Sequence, residues 1–495
     1  MPNEKNMPSR ETDAQQQALD ADQPSPAAAR MVQHLSDQQR VELGKAARKS
    51  CPRSALAAWD PPEGRPDPID LLEGQAKTRI PELVPIRYER MLESPFAFYR
   101  GAAVIMASDL STLPHTGLNV QLCGDAHLSN FGGFASPERE LILDVNDFDE
   151  TLPGPWEWDV KRLVASVEIA GRERGYHATE LRKIVLETAS EYHRSMHEFA
   201  AMSNLDLWYL HLDLAGIQER WGKMAKPKAI KALDKNLAHA SHKDNHRAFE
   251  KLTQRVDGQI RIAPSPPLVI PIEDLLHDEE YDQIVKTIRG LLRKYRATLR
   301  GDYRCLLEAY RYVHMAMKVV GIGSVGTRAW IILLLGRNEA DPLFLQVKEA
   351  QASVLEPYLG KSIYANNGQR VVEGQWLMQS SSDIFLGWVH VAEGLDGRSH
   401  DFYFRQLWDW KISADIETMD PGEMMVYGQI CAWTLARAHA RSGDRVAINA
   451  YLGNSELADR ALADFAVAYA DQNERDYQEL VSAAKSGRVK VGNTS

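Results

Sequence analysis

The sequence predicts an α+β protein of two lobes, a mainly helical large lobe and a small antiparallel β lobe. Three observations carry this. The short apolar runs 119–123 (N-V-Q-L-C) and 141–145 (L-I-L-D-V) each lead directly into an acidic cluster, as strands that end at a cleft do. Val160, Leu163, Val164 and Val167 then recur at i, i+3, i+4 and i+7, the apolar stripe of an amphipathic helix. Beyond about residue 318 the composition turns apolar, Gly-punctuated and strand-like, and past Pro421 it returns to helix.

The 495 residues are 44% apolar, enough to bury a core in more than one unit. Residues 1–30 are rich in Gln, Asp, Pro, Ser and Ala, and no aromatic precedes Trp59, so a disordered leader is expected there. Over 31–70 a short helix (32–49) precedes a connector, W-D-P-P-E-G-R-P-D-P, whose prolines forbid regular structure. Residues 71–310 are expected to form the large lobe. The small β lobe takes 311–415, with strand-like runs at 318–335, 342–347, 384–391 and 401–410. Helices in 416–495 complete the large lobe.

Fifty-eight basic against 68 acidic residues give a net charge of −10, which argues against a dedicated nucleic-acid partner. No apolar run approaches the ~20 residues of a membrane helix, so a cytoplasmic protein without a membrane partner is expected. The four cysteines, Cys51, Cys123, Cys305 and Cys431, lie far apart and read as reduced thiols.

Chemistry concentrates at the two acidic strand ends. The first is Gly124-Asp125-Ala126-His127-Leu128-Ser129-Asn130. The second, 144–150, holds Asp144, Asp147, Asp149 and Glu150 within seven residues. Carboxylates at that density repel one another unless a cation lies among them, and a hard ion such as Mg²⁺ suits oxygen donors. Caps or turns would explain single aspartates, but they do not require a G-D-x-H-x-x-N string.

That string, followed 17 residues after Asn130 by Asp147-Phe148, resembles the catalytic and metal loops of aminoglycoside-phosphotransferase-type members of the protein-kinase-like fold. Pro155-Trp-Glu-Trp-Asp159-Val-Lys-Arg-Leu163 resembles that family's P-x-x-Y-D-L-A helix start, whose Asp supports the loop. The whole chain also resembles the bacterial family called domain of unknown function 2252, which carries G-D-x-H-x-x-N-F-G and N-D-F-D-E-T strings. The resemblance implies roles: Asp125 orients a substrate hydroxyl, Asn130 and Asp147 hold Mg²⁺, and Asp149 reaches a second metal. Cys123 stands where the kinase-like family usually has His.

Gly321-Ile-Gly323-Ser324-Val-Gly326 lies between two strand-like runs, whereas a dinucleotide fingerprint would open a helix. The strand–turn–strand setting suits a hairpin over phosphates, where missing side chains let backbone N–H groups approach. Twenty-two residues after Gly326 comes P-L-F-L-Q-V-Lys348-E, with Leu343, Leu345 and Val347 on one face and Gln346 and Lys348 on the other. It resembles the kinase third strand. The resemblance implies that Lys348 binds the α and β phosphates of ATP and pairs with a helix Glu, here Glu373. Gln346 and Arg328 replace the small Ala and the Val of the kinase pattern, leaving room for an inverted nucleotide that would transfer AMP. The strand 401–407 would supply the hinge.

Asp125 precedes Gly321 by 196 residues, the reverse of the kinase order, so the resemblance implies a circularly permuted fold. In a permuted chain the helix that leads into the catalytic loop should lie near the C-terminus, and 427–442 fits. Two other signals compete. G-D-x-H also opens binuclear metallophosphoesterase sites, but no G-D-x-x-D or G-N-H completes the set. His239, His242 and His246 share a helical spacing that could hold zinc, though nine basic residues against three acidic ones over 223–255 read as a solvated basic face. Trp408 and Trp410 read as packing residues. The expected function is a Mg-ATP-dependent phosphotransferase acting on a hydroxyl of an unknown small-molecule or protein acceptor. The alternatives are adenylyl transfer on the same scaffold and a nucleotide-binding module without chemistry.

Overall fold

A computed structural model of the chain describes residues 34–223, 245–275, 281–319, 321, 323, 325–394, 396–407 and 410–492. The leader 1–30, His239, His242, Ser324 and Trp408 fall outside the described residues.

Helix α1 (Asp37–Ser50) starts at a capping box in which Ser36 and Gln39 each accept the other's backbone N–H, satisfying two donors that the helix leaves open. Helices α2 (Pro68–Ala76), α3 (Val84–Met91) and α4 (Pro95–Gly101) each carry proline in the first turn, where its missing N–H is harmless. Helix α5 (Ala103–Leu110) follows.

Strand β1 (Asn119–Leu122) then pairs with β4 (Leu152–Pro155), and β2 (Phe131–Ala135) with β3 (Leu141–Val145), all antiparallel. The two acidic segments leave these strands side by side, joined by the Asn146 N–H donating to the Asn130 carbonyl at 2.8 Å. Gly124 has φ +82°, and a Cβ on it would stand 2.4 Å from the Glu150 carbonyl oxygen, so only glycine permits this approach.

Helix α6 (Glu157–Glu173) buries Val160, Leu163, Val164 and Val167, as their spacing predicts. Next come α7 (Ala178–Ala200), α8 (Asn204–Tyr209), α9 (Leu214–Trp221) and α10 (Asn245–Leu252). The hairpin β5 (Thr253–Val256) and β6 (Gln259–Ile262), strand β7 (Val269–Pro271), and helices α11 (Tyr281–Ala297) and α12 (Gly301–Glu308) complete the middle of the chain.

Strands β8 (Arg311–Lys318), β9 (Ala329–Leu335) and β10 (Pro342–Ala350) form a meander. After α13 (Glu356–Leu359) and α14 (Asn367–Met378), β11 (Gly387–Val391) and β12 (His400–Gln406) return to the same sheet. Its order is β11-β12-β10-β9-β8-β7, antiparallel throughout. One face carries Leu343, Leu345 and Val347 against Tyr295 and Leu307. The other sets Ile331, Leu333 and Phe344 against Ala248 and Ile262. Coverage on both faces explains why β9 reads A-W-I-I-L-L-L without alternation.

The expected boundary at residue 310 shifts: α10 to α12 pack on this sheet and β7 supplies its sixth strand. The strand expected over 401–410 ends at Gln406.

The short β13 (Ile412–Ser413) joins β2 and leads to α15 (Pro421–Ser442), α16 (Arg445–Leu452) and α17 (Leu457–Lys485). One apolar core unites Ala47, Leu122, Phe131, Val164, Tyr192, Leu435, Ile448 and Phe465, so the helical part draws on both ends of the chain. The architecture is α+β with antiparallel sheets. Cys51, Cys123 and Cys431 are buried free thiols and Cys305 is an exposed one. Among the described residues no helix is long and apolar enough to cross a membrane.

Candidate active site

The loop after β1 is shaped by Asp159, in the first turn of α6. Its carboxylate accepts the Cys123 N–H at 2.8 Å and the Gly124 N–H at 3.0 Å. His439 of α15 reaches the same carboxylate at 3.2 Å and is itself held by the Tyr192 hydroxyl at 2.9 Å. The Ser166 hydroxyl accepts the Leu128 N–H, and the Tyr427 hydroxyl donates to the Leu128 carbonyl at 2.8 Å. Donors and acceptors from α6 and α15 thus fix a loop that has little regular structure of its own.

Held in this way, Asp125 keeps only 18% of its side-chain surface exposed. Arg162, one turn beyond Asp159, donates from Nε to Asp125 Oδ1 at 2.7 Å, and its Nη2, which donates to the Tyr99 carbonyl, stands 2.7 Å from the same oxygen as an ion pair. Its guanidinium also lies over the Tyr99 ring, 4.0 Å from the centroid. Burial pushes the Asp125 carboxyl up to about 6, although Arg162 opposes the shift. His127 Nε2 stands 3.6 Å from the other oxygen, Oδ2. Burial first, then Arg162 and Arg100, hold that imidazole well below its ordinary value, so it is neutral. The Asn130 side chain donates to the Asp125 carbonyl at 2.8 Å, which closes the loop.

The second acidic segment meets the lysine strand. Lys348 Nζ donates to Asp149 Oδ2 at 2.6 Å and lies 3.9 Å from Asp147 Oδ2, although Asp149 and Lys348 are 199 residues apart. The Tyr403 hydroxyl on β12 donates to the other Asp149 oxygen at 2.7 Å. Burial alone would discharge this pair. The mutual charges win, raising Lys348 and lowering Asp149 from their usual ranges. Gln346, on the same face of β10 as Lys348, accepts from Arg405 Nε at 3.0 Å. Arg405 also donates to the Asn146 carbonyl.

Glu373 does not meet Lys348. It lies on α14 with Gln369 as its hydrogen-bond partner at 3.4 Å, and burial raises its carboxyl. The α14 residue that reaches the site is Arg370, which donates to the backbone carbonyls of Thr151, Asp149 and Gln351. The lysine finds its countercharge on the acidic loop because that loop is packed directly beneath the strand.

The glycine loop is tied to the N-terminal helices. The Ile80 N–H donates to the Gly326 carbonyl at 2.7 Å, Arg79 to the Val325 carbonyl, and Arg90 to the Gly321 carbonyl. Gly326 has φ +91°, and a Cβ there would sit 3.0 Å from the Arg79 Cβ. Arg328 carries its own partners, Glu349 at 3.1 Å and Asp396.

Among the described residues no group of three or more His, Cys, Asp or Glu converges as a metal site. Mg²⁺ does not need one, since it is commonly held by one or two carboxylates with waters and substrate phosphates. The Asn130 amide and the partly exposed Asp147 carboxylate, adjacent through the Asn146–Asn130 backbone bond, are oxygen donors of the right kind. Asp149 fits less well, because Lys348 and Tyr403 already occupy its two oxygens.

Arg162, Tyr403 and Arg405 are site residues that the motifs do not mark. Arg162 could have been found from its place one turn after Asp159. Tyr403 and Arg405 could have been found from alternation in a strand paired to β10.

Fold and site together define a protein in which the acidic segment 144–150 from early in the chain meets the lysine-bearing strand β10 from late in the chain. The family model described as "Uncharacterized protein conserved in bacteria (DUF2252)" matches residues 79–483, and the chain belongs to that family. No curated protein matches the chain, and no solved structure does.

Proposed function

We propose that the protein is a Mg-ATP-dependent phosphotransferase with a kinase-like, circularly permuted fold, transferring phosphate to a hydroxyl. The observation that carries this reading is the contact of Lys348 with Asp149 and Asp147, the latter also acting through its charge on Asp125. A cation for phosphates and acids for a metal and a hydroxyl stand in one cleft. Phosphoryl transfer needs little more than such positioning and charge neutralisation. The succession of glycine hairpin, lysine strand and helix also supports it, as does α15 packed against the loop that holds Asp125.

In this reading Asp125 accepts the hydrogen bond of the acceptor hydroxyl through the carboxylate that Arg162 holds in place. Asn130 and Asp147 hold Mg²⁺, which neutralises charge on the phosphates. Lys348 exchanges Asp149 for the α and β phosphates when nucleotide enters. Gln346 and Arg405, polar groups where an adenine floor would be apolar, favour adenylyl transfer as the second reading.

Labelled nucleotide decides between them. Incubation with cell extract and γ-labelled ATP should mark an acceptor, and Asp125→Asn should abolish the label while nucleotide binding persists. Label from α-labelled ATP alone assigns adenylyl transfer. Nucleotide-dependent thermal stabilisation with neither label leaves a binding module.

A further inference from the structure

We infer that the nucleotide donor carries a 6-oxopurine base, which makes GTP a better donor than ATP, and that this base enters the cavity between β2, α14 and the end of β12. The inference rests on the phosphotransferase reading and names the nucleotide of the same cleft.

The cavity offers about 560 Å³ of open space, room for a purine nucleoside. Phe134, Ala135 and Leu407 supply apolar walls, and Gln375, Arg405 and Lys411 line the same space with polar groups. It adjoins Lys348 along the sheet. Strands β10 and β12 pair Lys348 with Tyr403 and Gln346 with Arg405, so two residues, about 7 Å of strand, separate Lys348 from Arg405 on one face. A ribose bridges such a gap between a base and its phosphates. Trp410, the residue before Lys411, has φ +56°, a left-handed backbone that bulky side chains avoid, and the Arg139 guanidinium lies over its ring, 4.6 Å from the centroid. Strain of this kind persists where surrounding contacts enforce it, and here it fixes the backbone that presents Lys411.

The cavity holds donors without acceptors. Arg405 donates from Nε to Gln346 and from Nη1 to the Asn146 carbonyl, and among the described residues its Nη2 has no hydrogen-bond partner. Lys411 is exposed and has neither a hydrogen bond nor an ion pair among the described residues. Burial lowers Arg405, but Tyr403, Asp147, Asp149 and Asp383 outweigh it and keep the guanidinium charged. With that charge already balanced, the open donors call for neutral acceptors and not for a further anion. Guanine supplies them: its O6 and N7 accept side by side from Arg or Lys, whereas adenine sets an N6 amino donor in place of O6. A buried donor left facing another donor costs affinity, so a site of this kind rejects the wrong base. Gln375 gives its Nε2 to Gln379 at 2.9 Å, which leaves its oxygen to accept the N1–H that guanine has and adenine lacks.

The test titrates the full chain in a calorimeter with GTP, inosine triphosphate, ATP and inorganic tripolyphosphate, each with Mg²⁺ and without acceptor. GTP and inosine triphosphate, which share O6, N7 and N1–H, should bind at least about tenfold more tightly than ATP or tripolyphosphate. Lys411→Met should bring GTP to within about threefold of ATP while ATP affinity stays within about twofold, and circular dichroism confirms that the variant folds. ATP bound as tightly as GTP overturns the inference and leaves the phosphotransferase reading standing. So does tripolyphosphate bound as tightly as GTP, which would put the base outside the cavity. A GTP preference that inosine triphosphate does not share, or that survives Lys411→Met, overturns the contacts assigned to Arg405 and Lys411. A protein that binds none of the four loses the phosphotransferase reading, and the inference with it.

Discussion

Replacing Arg437 by Met isolates the contact that joins the early strand β3 to the late helix α15. Arg437 Nη2 lies 2.5 and 2.7 Å from the two oxygens of Asp144, with side-chain exposures of 1% and 0%. Removing one partner of a buried pair leaves an uncompensated charge and costs about 3–5 kcal/mol. Asp144 keeps the Ser380 N–H and hydroxyl as donors, both at 2.9 Å, so the lower half of that range, about 3 kcal/mol, is expected. Adding Asp144→Asn removes the stranded charge while its amide oxygen can still accept from Ser380. The double variant should therefore recover about half of the loss, leaving about 1–2 kcal/mol for the hydrogen bonds still missing. Equilibrium urea unfolding followed by far-UV circular dichroism measures all three proteins. A loss below about 1 kcal/mol in Arg437→Met, or a double variant no more stable than the single, would refute the argument that this pair ties the two chain ends into one cooperative unit.

The remaining predictions concern the cleft. Lys348→Met strands Asp149 and Asp147, so both nucleotide affinity and melting temperature should fall; a variant that binds ATP like the parent removes the lysine from the site. Glu373→Gln should leave nucleotide affinity within about twofold, because Glu373 does not meet Lys348, and a tenfold loss would restore the helix–lysine pair that the geometry lacks. In the proposed transfer Asp125 must be ionised to orient a hydroxyl, and burial pushes its carboxyl up to about 6, so turnover should rise with pH from about a tenth of its plateau at pH 5 to about nine-tenths at pH 7. A pH-independent rate over that window would show that the charge on Asp125 is not used. Gly326→Ala forces an L-residue to φ +91° against Arg79, and limited proteolysis of the glycine loop should accelerate.

Local sequence determined the elements. The i, i+3, i+4, i+7 stripe of 160–167 could only be satisfied by a helix with a buried face, and the alternation in 343–348 separated Lys348 from the apolar side of β10 before any packing was known. The G-D-x-H-x-x-N and D-V-N-D-F-D strings marked the acidic ends because clustered carboxylates are anomalous in any fold. The helices within 245–275 and 281–308 could not be placed from sequence, because short amphipathic helices carry no label for the surface they cover. Their place on the sheet follows from β7 pairing with β8.

Partners across long separations were likewise invisible. Lys348 takes Asp149 instead of Glu373, and Arg162 takes Asp125, because charge pairing depends on which groups packing brings within a few ångströms, and sequence spacing encodes that only inside one helix or strand. The chain by itself therefore supplied several of the strands and helices and the inventory of reactive groups. Tertiary structure decided which of those groups share a cleft, since burial and Coulomb energy act through space and take no account of the 199 residues between Asp149 and Lys348.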